Sequence, residues 1–285
     1  MRKLKIAIQK SGRLKEDSLK LLKQSGISVD NGQDQLKTSA TNFPLEIYYL
    51  RNSDIYQYLI DGVVDIAIVG ENLLYENSST LPVVCKLGFS KCRVSMAVPK
   101  DIDVTGLSYF EGKQIATSYP NTLRKYLGSN QISASIHKIS GSVEIAPNIG
   151  LADAIMDIVS SGNTLFKNGL KETNTVLQSE AVLVKGHNLS NDLDEIVAQL
   201  NFRLKAVLGA KQSRYVLMNV PNSKIEAISQ LLPVLKSPTI MPLALEGWSS
   251  LHTVISENEF WSAIDQLKAE GAEGILVLPI EKIIL

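Results

Sequence analysis

The first two hundred residues alternate short apolar runs with stretches whose apolar residues recur at helical spacing. Residues 4–9 and 45–50 predict strands, and residues 14–24 and 54–60 predict the helices that follow them. The next run, 65–69, has four consecutive apolar residues after its aspartate, which is typical of a strand buried between two helical layers. Because strands and helices alternate, the pattern predicts a parallel sheet with right-handed crossovers.

The pattern changes at residues 81–99, where two β-rich runs, 83–87 and 93–98, flank a short glycine-containing link. We expect the chain to cross here from a first α/β lobe into a second one. Predicted strands of the second lobe are 114–117, 133–138 and 152–159, with a helix that begins at Pro120. The run 179–184 is expected to return to the first lobe. Two such lobes, of the periplasmic-binding-protein type, leave a cleft for a ligand.

After a predicted helix at 192–212 the plan changes again. Six elements follow in the order βαββαβ, which is the ferredoxin-like plan. They are strands at 214–220, 239–245, 250–256 and 274–278 and helices at 223–232 and 257–270. Nothing catalytic stands out among them, so we expect a regulatory or assembly module. The predicted domains are a first lobe of 1–92 with 179–211, a second lobe of 93–178, and a C-terminal domain of 212–285.

Composition narrows the possible partners. Lys and Arg together number 29, as do Asp and Glu, so no net charge draws the chain to nucleic acid or to an anionic membrane. An anionic ligand therefore needs a local pocket of donors. We find no signal peptide and no apolar run near the ~20 residues of a bilayer span, and we expect a cytoplasmic protein. Cys85 and Cys92 lie in β-like sequence and are expected to remain thiols rather than to pair across strands.

The string Asp-Ile-Val-Ser-Ser-Gly-Asn-Thr at residues 157–164 is the first candidate for chemistry. Gly162 lets the chain bend so that successive backbone N–H groups converge on an anion. Hydroxyl donors are added by Ser160, Ser161 and Thr164. Asp157, at the start of this string, is placed to meet ribose hydroxyls or a metal. The same string also fits a plain strand-to-helix turn with Thr164 as the helix N-cap.

Polar or glycine-bearing segments also follow two predicted strands of the first lobe. Lys10 supplies a point charge and Arg13 a fork for phosphate oxygens after the first strand, although a basic solvated loop has the same composition. Gly70 leaves room for a ligand at the end of the third strand, and Glu71 begins the next helix. In open α/β sheets, ligands bind at these carboxyl ends of strands.

The second lobe has two further candidates. Tyr119 precedes the helix at Pro120 and can offer its ring face to a purine, and Glu144 is a carboxylate that can face the cleft. The commonest nucleotide strings, GxGxxG and GxxxxGK[ST], are absent, as is the GxSxG elbow. The three histidines are far apart in the chain and lack the spacing of zinc ligands.

Taken in order, these strings resemble the family of ATP phosphoribosyltransferase, the first enzyme of histidine biosynthesis. They are QKSGRL at 9–14, DGVVD at 61–65 with GEN at 70–72, ATSYP at 116–120, GSVE at 141–144, and GLADAI at 150–155 running into SGNTL at 161–165. The resemblance covers essentially the whole chain. It includes 237–240 and 276–280, as in the long form of the enzyme with its own C-terminal domain.

The resemblance implies that N1 of ATP displaces pyrophosphate from C1 of phosphoribosyl diphosphate, with inversion and with Mg²⁺. The residues implied to hold the donor's 5-phosphate are Ser160, Ser161, Gly162, Asn163 and Thr164. Asp157 is expected to face the ribose and Glu144 to lie near the donor, and these two carboxylates are the expected metal ligands. The residues expected on the ATP side are Lys10, Arg13, Gly70, Glu71 and Tyr119. Arg13, Glu144 and Asp157 are the expected catalytic residues, and no general base is implied.

For the last domain the resemblance implies feedback inhibition by histidine and a homo-oligomer between dimer and hexamer. Asn219, Ser237 and Thr239 are the polar groups expected to meet the effector. Two other classes of protein have a similar two-lobe plan. A non-catalytic solute-binding protein is expected to have an export signal or lipid anchor, which we do not find, and an inactive regulatory paralogue is expected to have lost the 160–164 loop or Arg13.

Overall fold

The structure is a computed structural model, which describes residues 2–29, 36–232 and 237–284. Contacts between residues divide the chain into two compact units. The larger unit comprises Met1–Lys20 with Ser28–Val197, and the smaller comprises Leu21–Ile27 with Ala198–Leu285. Among the helices within the described ranges, none is long and apolar enough to cross a membrane.

The described residues form strands, α-helices and short 3₁₀ turns. The strands are β1 (Leu4–Gln9), β2 (Lys37–Ser39), β3 (Leu45–Leu50), β4 (Ile66–Gly70), β5 (Val83–Lys86), β6 (Cys92–Pro99), β7 (Gln114–Thr117), β8 (Ser135–Lys138), β9 (Ala154–Val159), β10 (Leu170–Ser179), β11 (Ala181–Lys185), β12 (Ser213–Pro221), β13 (Thr239–Pro242), β14 (Trp248–Ser256) and β15 (Glu273–Pro279). The α-helices are α1 (Arg13–Gln24), α2 (Asn52–Ile60), α3 (Glu71–Glu76), α4 (Pro120–Ser129), α5 (Asn163–Lys167), α6 (Asn191–Lys211), α7 (Ile225–Leu231) and α8 (Glu257–Ala269). The 3₁₀ turns lie at Leu107–Phe110, Val143–Ile145, Pro147–Ile149 and Asn222–Lys224.

The first sheet has the strand order β2-β3-β1-β4-β11-β5. Its centre is parallel, since β1 pairs in the same direction with β3 and with β4. The remaining pairs are antiparallel: β2 with β3, and β11 with both β4 and β5. The predicted parallel sheet is therefore right for the centre and wrong for the edges. The reason is that β11 follows β10 of the second sheet directly, without a crossover helix to impose a parallel direction.

The second sheet has the order β10-β6-β9-β7-β8. β7 pairs parallel with β8 and β9, whereas β6 pairs antiparallel with β9 and β10. The sequence pattern misses β10, because its ten residues, LKETNTVLQS, contain no apolar run. An edge strand needs few buried side chains, and β10 is held by backbone pairing with β6 and by scattered side-chain contacts, such as Glu172 with Arg93, that form no apolar run.

Two strand-to-strand crossings join these sheets within the larger unit. β5 of the first sheet is followed by β6 of the second, and β10 of the second is followed by β11 of the first. Apolar side chains pack on both faces of the second sheet, with Val94 and Met96 on one face and Ala97 and Ile155 on the other. The predicted fold of two α/β lobes is confirmed.

The smaller unit contains a four-stranded antiparallel sheet in the order β13-β14-β12-β15. With α7 and α8 between the strands, the order along the chain is βαββαβ, so the predicted ferredoxin-like domain is confirmed. A buried cluster that includes Val216, Leu251, Phe260 and Leu267 forms its core. Ser256 and Glu259 form a capping box at the start of α8, which explains why the sequence marks this helix clearly.

Candidate active site

The loop between β9 and α5 lies where the sequence places its phosphate-binding string. Gly162 occupies the N-cap position of α5 with φ 80°, a left-handed conformation that glycine adopts without steric cost. Thr164 is therefore the second residue of the helix, and the alternative interpretation that made it the N-cap is wrong. Because the side chains of this loop are largely exposed, their hydroxyl and amide groups are open to a ligand; they belong to Ser160, Ser161, Asn163 and Thr164.

An ion pair supports the beginning of this loop. Arg93 on β6 donates from Nε and Nη2 to the two carboxylate oxygens of Glu172 on β10, both at 2.5 Å. Its third nitrogen, Nη1, donates to the backbone carbonyl of Ser160 at 3.3 Å. The hydrogen bonds from Arg93 hold the pKa of the Glu172 carboxyl below its usual value. The charge of Arg93 is thus largely neutralised, and its contact with the loop is a contact with backbone.

Sequence reasoning missed this pair. Arg93 appears as a single cation within a predicted strand, and Glu172 lies in the strand that the pattern did not predict. A charged residue inside an otherwise apolar strand is the one available signal, since such a charge needs a partner when it is half-buried.

Asp157, near the end of β9, is a carboxylate in a dehydrated position. Burial raises its pKa to about 6, and the nearby charge of Glu144 adds to this shift. The backbone N–H of Ile158 donates to Asp157 Oδ1 at 2.8 Å, which opposes the shift. Glu144 lies in the 3₁₀ turn that follows Ser142, whose φ is 50°. The two carboxylates that the sequence named as metal ligands are therefore near enough for the charge of Glu144 to act on Asp157.

These two carboxylates fit Mg²⁺ as a partial site. Mg²⁺ is usually held by one or two carboxylates and completed by water and substrate phosphates. Within the described ranges, no three His, Cys, Asp or Glu side chains converge as a complete protein site for a metal. The donor set of Glu144 and Asp157 is therefore of the kind that a phosphate-bearing substrate completes.

Tyr119 occupies the N-cap position of α4, directly after β7 and one residue of loop. Its ring packs on the edge of the hydrophobic cluster of the second lobe, and burial raises the pKa of its hydroxyl, with the charge of Asp157 adding to the shift. The Asn72 side chain faces the same hydroxyl and opposes the shift. Tyr119 thus lies between Asp157 of its own lobe and the start of α3 in the other lobe.

Gly70 is needed for a reason that the sequence did not indicate. Its backbone angles are ordinary, with φ −71° and ψ 137°, but a Cβ built on it would lie 2.3 Å from Oδ1 of Asn72. The Asn72 side chain folds back over Gly70, and its Oδ1 accepts a hydrogen bond from Ser179 Oγ at 3.1 Å. The backbone N–H of Asn72 in turn donates to Ser179 Oγ at 3.0 Å. In this structure the space beside Gly70 is filled by Asn72 rather than open to a ligand.

The other candidates of the first lobe differ in exposure and in whether their charged groups already have a partner. Glu71 Oε2 lies 3.4 Å from Lys86 Nζ, so its carboxylate already has a cationic partner. Lys10 and Arg13 follow β1 and are exposed, and Nε of Arg13 lies 3.9 Å from the carboxylate of Asp17. Because β1 and β4 are parallel, their carboxyl ends lie at the same edge of the first sheet.

The effector candidates belong to the smaller unit. Thr239 on β13 pairs with His252 on β14, and Asn219 on β12 pairs with Ser250 on β14. Strand alternation puts these four side chains on the sheet face opposite the core of α7 and α8. His252 is held there by Tyr215 Oη at 2.7 Å and Ser250 Oγ at 3.0 Å. The remaining candidate, exposed Ser237, lies two residues before β13.

The fold and these strand ends define the class of the chain as a two-lobed α/β protein suited to a phosphorylated small ligand. The family model described as ATP phosphoribosyltransferase matches residues 51–206, and the model described as HisG, C-terminal domain, matches residues 210–282. The chain belongs to the ATP phosphoribosyltransferase family, an enzyme family of histidine biosynthesis.

Relatives and solved structures agree with this assignment. A curated ATP phosphoribosyltransferase of Cytophaga hutchinsonii is 56% identical over 281 residues, which cover 99% of this chain and 98% of that protein. One of Bacteroides thetaiotaomicron is 52% identical over 282 residues, which cover 99% and 100%. The solved ATP phosphoribosyl transferase (HisG:HisZ) complex of Thermotoga maritima contains a chain of TM-score 0.61 and 28% identity, with 71% of this chain and 96% of that chain covered.

A more distant likeness concerns the fold alone. A histidine kinase sensor domain with similarity to periplasmic binding proteins has a TM-score of 0.50 at 10% identity, with 71% of this chain and 89% of that chain covered. The predicted periplasmic-binding-protein type of the two lobes is thereby confirmed.

The Gly70–Asn72 contact leads to a stability prediction. We expect Gly70→Ala to lower the free energy of unfolding by about 1–3 kcal/mol, because the new methyl group must displace the Asn72 amide from its buried bonds with Ser179. Urea unfolding followed by circular dichroism measures this loss.

Gly128→Ala is the matched control for this substitution. Gly128 lies inside α4, and a Cβ built there meets nothing within 4 Å, so we expect no loss or a gain of about 0.5–1 kcal/mol. Equal stability of the two variants would show that Asn72 moves aside without cost.

Proposed function

We propose that this chain transfers the phosphoribosyl group of phosphoribosyl diphosphate to N1 of ATP and releases pyrophosphate. The observation that supports this most directly is the exposed Ser-Ser-Gly-Asn-Thr loop at 160–164, at the end of β9, in a chain of this family. Its hydroxyls and its left-handed glycine provide donors for a phosphate group. We assign the donor's 5-phosphate to this loop and its ribose to Asp157.

The chemistry places few demands on a base. The lone pair of adenine N1 forms the new bond to C1 of the ribose, while the electrons of the broken C1–O bond leave with pyrophosphate. No proton has to be removed before the bond forms, so alignment and charge neutralisation dominate the barrier. This agrees with a site in which Arg13, Glu144 and Asp157 are the proposed catalytic residues and none is assigned as a general base.

We infer that the reaction uses Mg²⁺, for which Glu144 and Asp157 are the proposed ligands. A bound Mg²⁺ would neutralise charge on the departing diphosphate. The proposal is supported by the charge of Glu144, which acts on Asp157 and helps to raise its pKa, since a cation beside two such carboxylates would offset their repulsion.

The ATP side is assigned to the residues at the facing strand ends: Lys10, Arg13, Gly70, Glu71 and Tyr119. Lys10 and Arg13 are exposed cations suited to the triphosphate. Before ATP can contact Glu71, that carboxylate must leave Lys86, with which it is paired. Before ATP can approach Gly70, the Asn72 side chain must move away from it. Arg93 is proposed as a positioning residue that holds the carbonyl of Ser160 and so the start of the phosphate loop.

We also propose the domain limits 1–92 with 179–211, 93–178 and 212–285. They are supported by the place of β5 and β11 in the first sheet, of β6 and β10 in the second, and of β12 in the third. The compact units divide differently, within α6 after Val197, and assign Leu21–Ile27 to the smaller unit. Since ATP is a cytoplasmic substrate, we propose the cytoplasm as the location. A non-catalytic binding protein is not favoured, because its support is a likeness of fold at 10% identity.

For the smaller unit we propose inhibition by histidine, with Asn219, Ser237 and Thr239 as effector contacts, in a homo-oligomer between dimer and hexamer. The support is the family match of this unit and the row of polar side chains on its open sheet face. Association between chains has a precedent in the family, since the Thermotoga maritima protein is a HisG:HisZ complex.

The reaction itself is tested by mixing the protein with ATP, phosphoribosyl diphosphate and Mg²⁺. We expect an ultraviolet absorbance change from N1-substituted adenine when pyrophosphatase removes the second product. A sample without phosphoribosyl diphosphate is the control. Absence of product in the complete mixture would refute the proposed function.

The phosphate loop is tested by Thr164→Ala and Ser161→Ala. We expect each to raise the KM for phosphoribosyl diphosphate about tenfold, because each removes a hydrogen bond to a charged group, while the KM for ATP stays within about twofold. Ser129→Ala, an exposed serine at the end of α4, is the matched control and should leave both constants unchanged. Equal losses for the two substrates would contradict the assignment of the loop.

Regulation is tested on the full chain by Asn219→Ala and Thr239→Ala. We expect histidine to inhibit the unmodified chain, and each variant to need about tenfold more histidine for half-inhibition, since each loses a polar contact with the effector. Ser262→Ala, an exposed serine of α8, is the control. Unchanged inhibition in both variants would move the effector site elsewhere.

A further inference from the structure

The end of α3 in the first lobe contacts the beginning of α4 in the second lobe. Glu76 Oε1 accepts the backbone N–H of Asn121 at 3.0 Å, and Oε2 accepts the N–H of Thr122 at 2.8 Å and its hydroxyl at 2.9 Å. The carbonyl of Glu76 accepts from Asn121 Nδ2 at 3.2 Å. Two residues further on, Ser78 Oγ accepts from Lys125 Nζ at 2.7 Å.

This arrangement is a helix cap supplied from another lobe. The first N–H groups of a helix have no partner within the helix, and a negative charge is favourable there. Tyr119, at the N-cap position of α4, makes no side-chain cap. The carboxylate that meets this need comes instead from Glu76, 45 residues earlier in the chain.

The same short helix touches the second lobe at both of its ends. Asn72, in the first turn of α3, faces the hydroxyl of Tyr119, and Glu76, its last residue, caps the helix that begins directly after Tyr119. α3 itself follows Gly70 at the end of β4. This six-residue helix therefore connects the strand end of the first lobe to the strand end of the second.

We propose that Glu76 is a positioning residue for the ATP side of the site, acting through α4 on Tyr119. Its cap fixes where α4 begins, and so fixes Tyr119 against Gly70 and Asn72 of the facing lobe. Without the carboxylate, the start of α4 loses three hydrogen bonds to the first lobe. The contacts of Asn121 with the Glu76 carbonyl and of Lys125 with Ser78 remain, so Tyr119 is held less tightly against the first lobe rather than released from it. This inference rests on the proposed use of ATP at these strand ends.

Glu111, a carboxylate in the second lobe, provides a matched comparison for Glu76. Glu111 Oε2 accepts the backbone N–H of Ser133 at 2.9 Å, so it too is a carboxylate bound to a backbone amide. Glu111 and Ser133 both belong to the second lobe. Glu111→Ala therefore removes the same kind of contact without affecting the connection between lobes.

The experiment compares Glu76→Ala, Glu76→Gln and Glu111→Ala in the full chain. ATP binding to each protein with Mg²⁺ is measured by calorimetry without the ribose donor, and hydrogen exchange is measured for the peptide that covers 118–125. We expect Glu76→Ala to weaken ATP binding about tenfold and to speed exchange in this peptide, with binding of phosphoribosyl diphosphate within about twofold. Glu76→Gln, which keeps an acceptor oxygen, should recover part of both effects, and Glu111→Ala should show neither.

The outcomes separate this inference from the proposed reaction. Equal melting-temperature losses in Glu76→Ala and Glu111→Ala, with unchanged ATP binding and exchange, would reduce Glu76 to an ordinary structural cap and overturn the proposal. If Glu76→Ala does not fold, Glu76→Gln decides in its place, and ATP affinity equal to that of the unmodified chain overturns it. An unmodified chain that binds ATP but forms no product refutes the reaction while leaving the positioning role measurable. A chain that binds no ATP refutes both.

Discussion

The buried hydrogen bonds between Asn72 and Ser179 are the interaction on which the two-lobe arrangement depends. Ser179 ends β10, just before the chain crosses back to β11, and Asn72 is the second residue of α3, which follows β4 directly. An amide buried without partners is costly, so this pair fixes the strand crossing against the first sheet. The requirement extends to Gly70, where any side chain would occupy the place of the Asn72 oxygen. Gly70, Asn72 and Ser179 thus hold the end of β10 against the start of α3.

Two carboxylates near the phosphate loop are stabilised very differently. Glu172 has both oxygens paired with Arg93, which lowers its pKa, whereas burial raises the pKa of Asp157 from 3.8 to about 6. A folded-state pKa above the ordinary value means that ionised Asp157 lowers stability in full at pH above about 6, and that this penalty falls as the pH is lowered from about 6 towards 3.8, below which it is absent. The protein therefore retains a destabilising charge at the place where a cation and a ribose are proposed to bind, which is typical of a functional carboxylate.

The parts of the fold that the sequence predicts well are those with local causes. The bounds of β1, β3 and β7 match the apolar runs to the residue, because buried central strands have few polar interruptions. The pattern misses β2 and β10, since edge strands are held by backbone pairing that leaves little trace in side chains. At the site, the sequence pattern predicts which polar residues lie at strand ends. It does not predict Glu76, Arg93 and Glu172, because their partners are 45 to 79 residues away and no local pattern marks such contacts.

The proposed inhibition by histidine assigns the effector to the smaller unit, which has a sheet, two helices and a buried cluster of its own. Binding of this kind changes catalysis only by as much as the effector prefers one state of the whole protein over another. In the larger unit, α3 is the element whose contacts depend on the position of the facing lobe, because it contacts that lobe through both Asn72 and Glu76. A displacement of one lobe relative to the other would strain both contacts, so together they favour the arrangement of the strand ends that satisfies them.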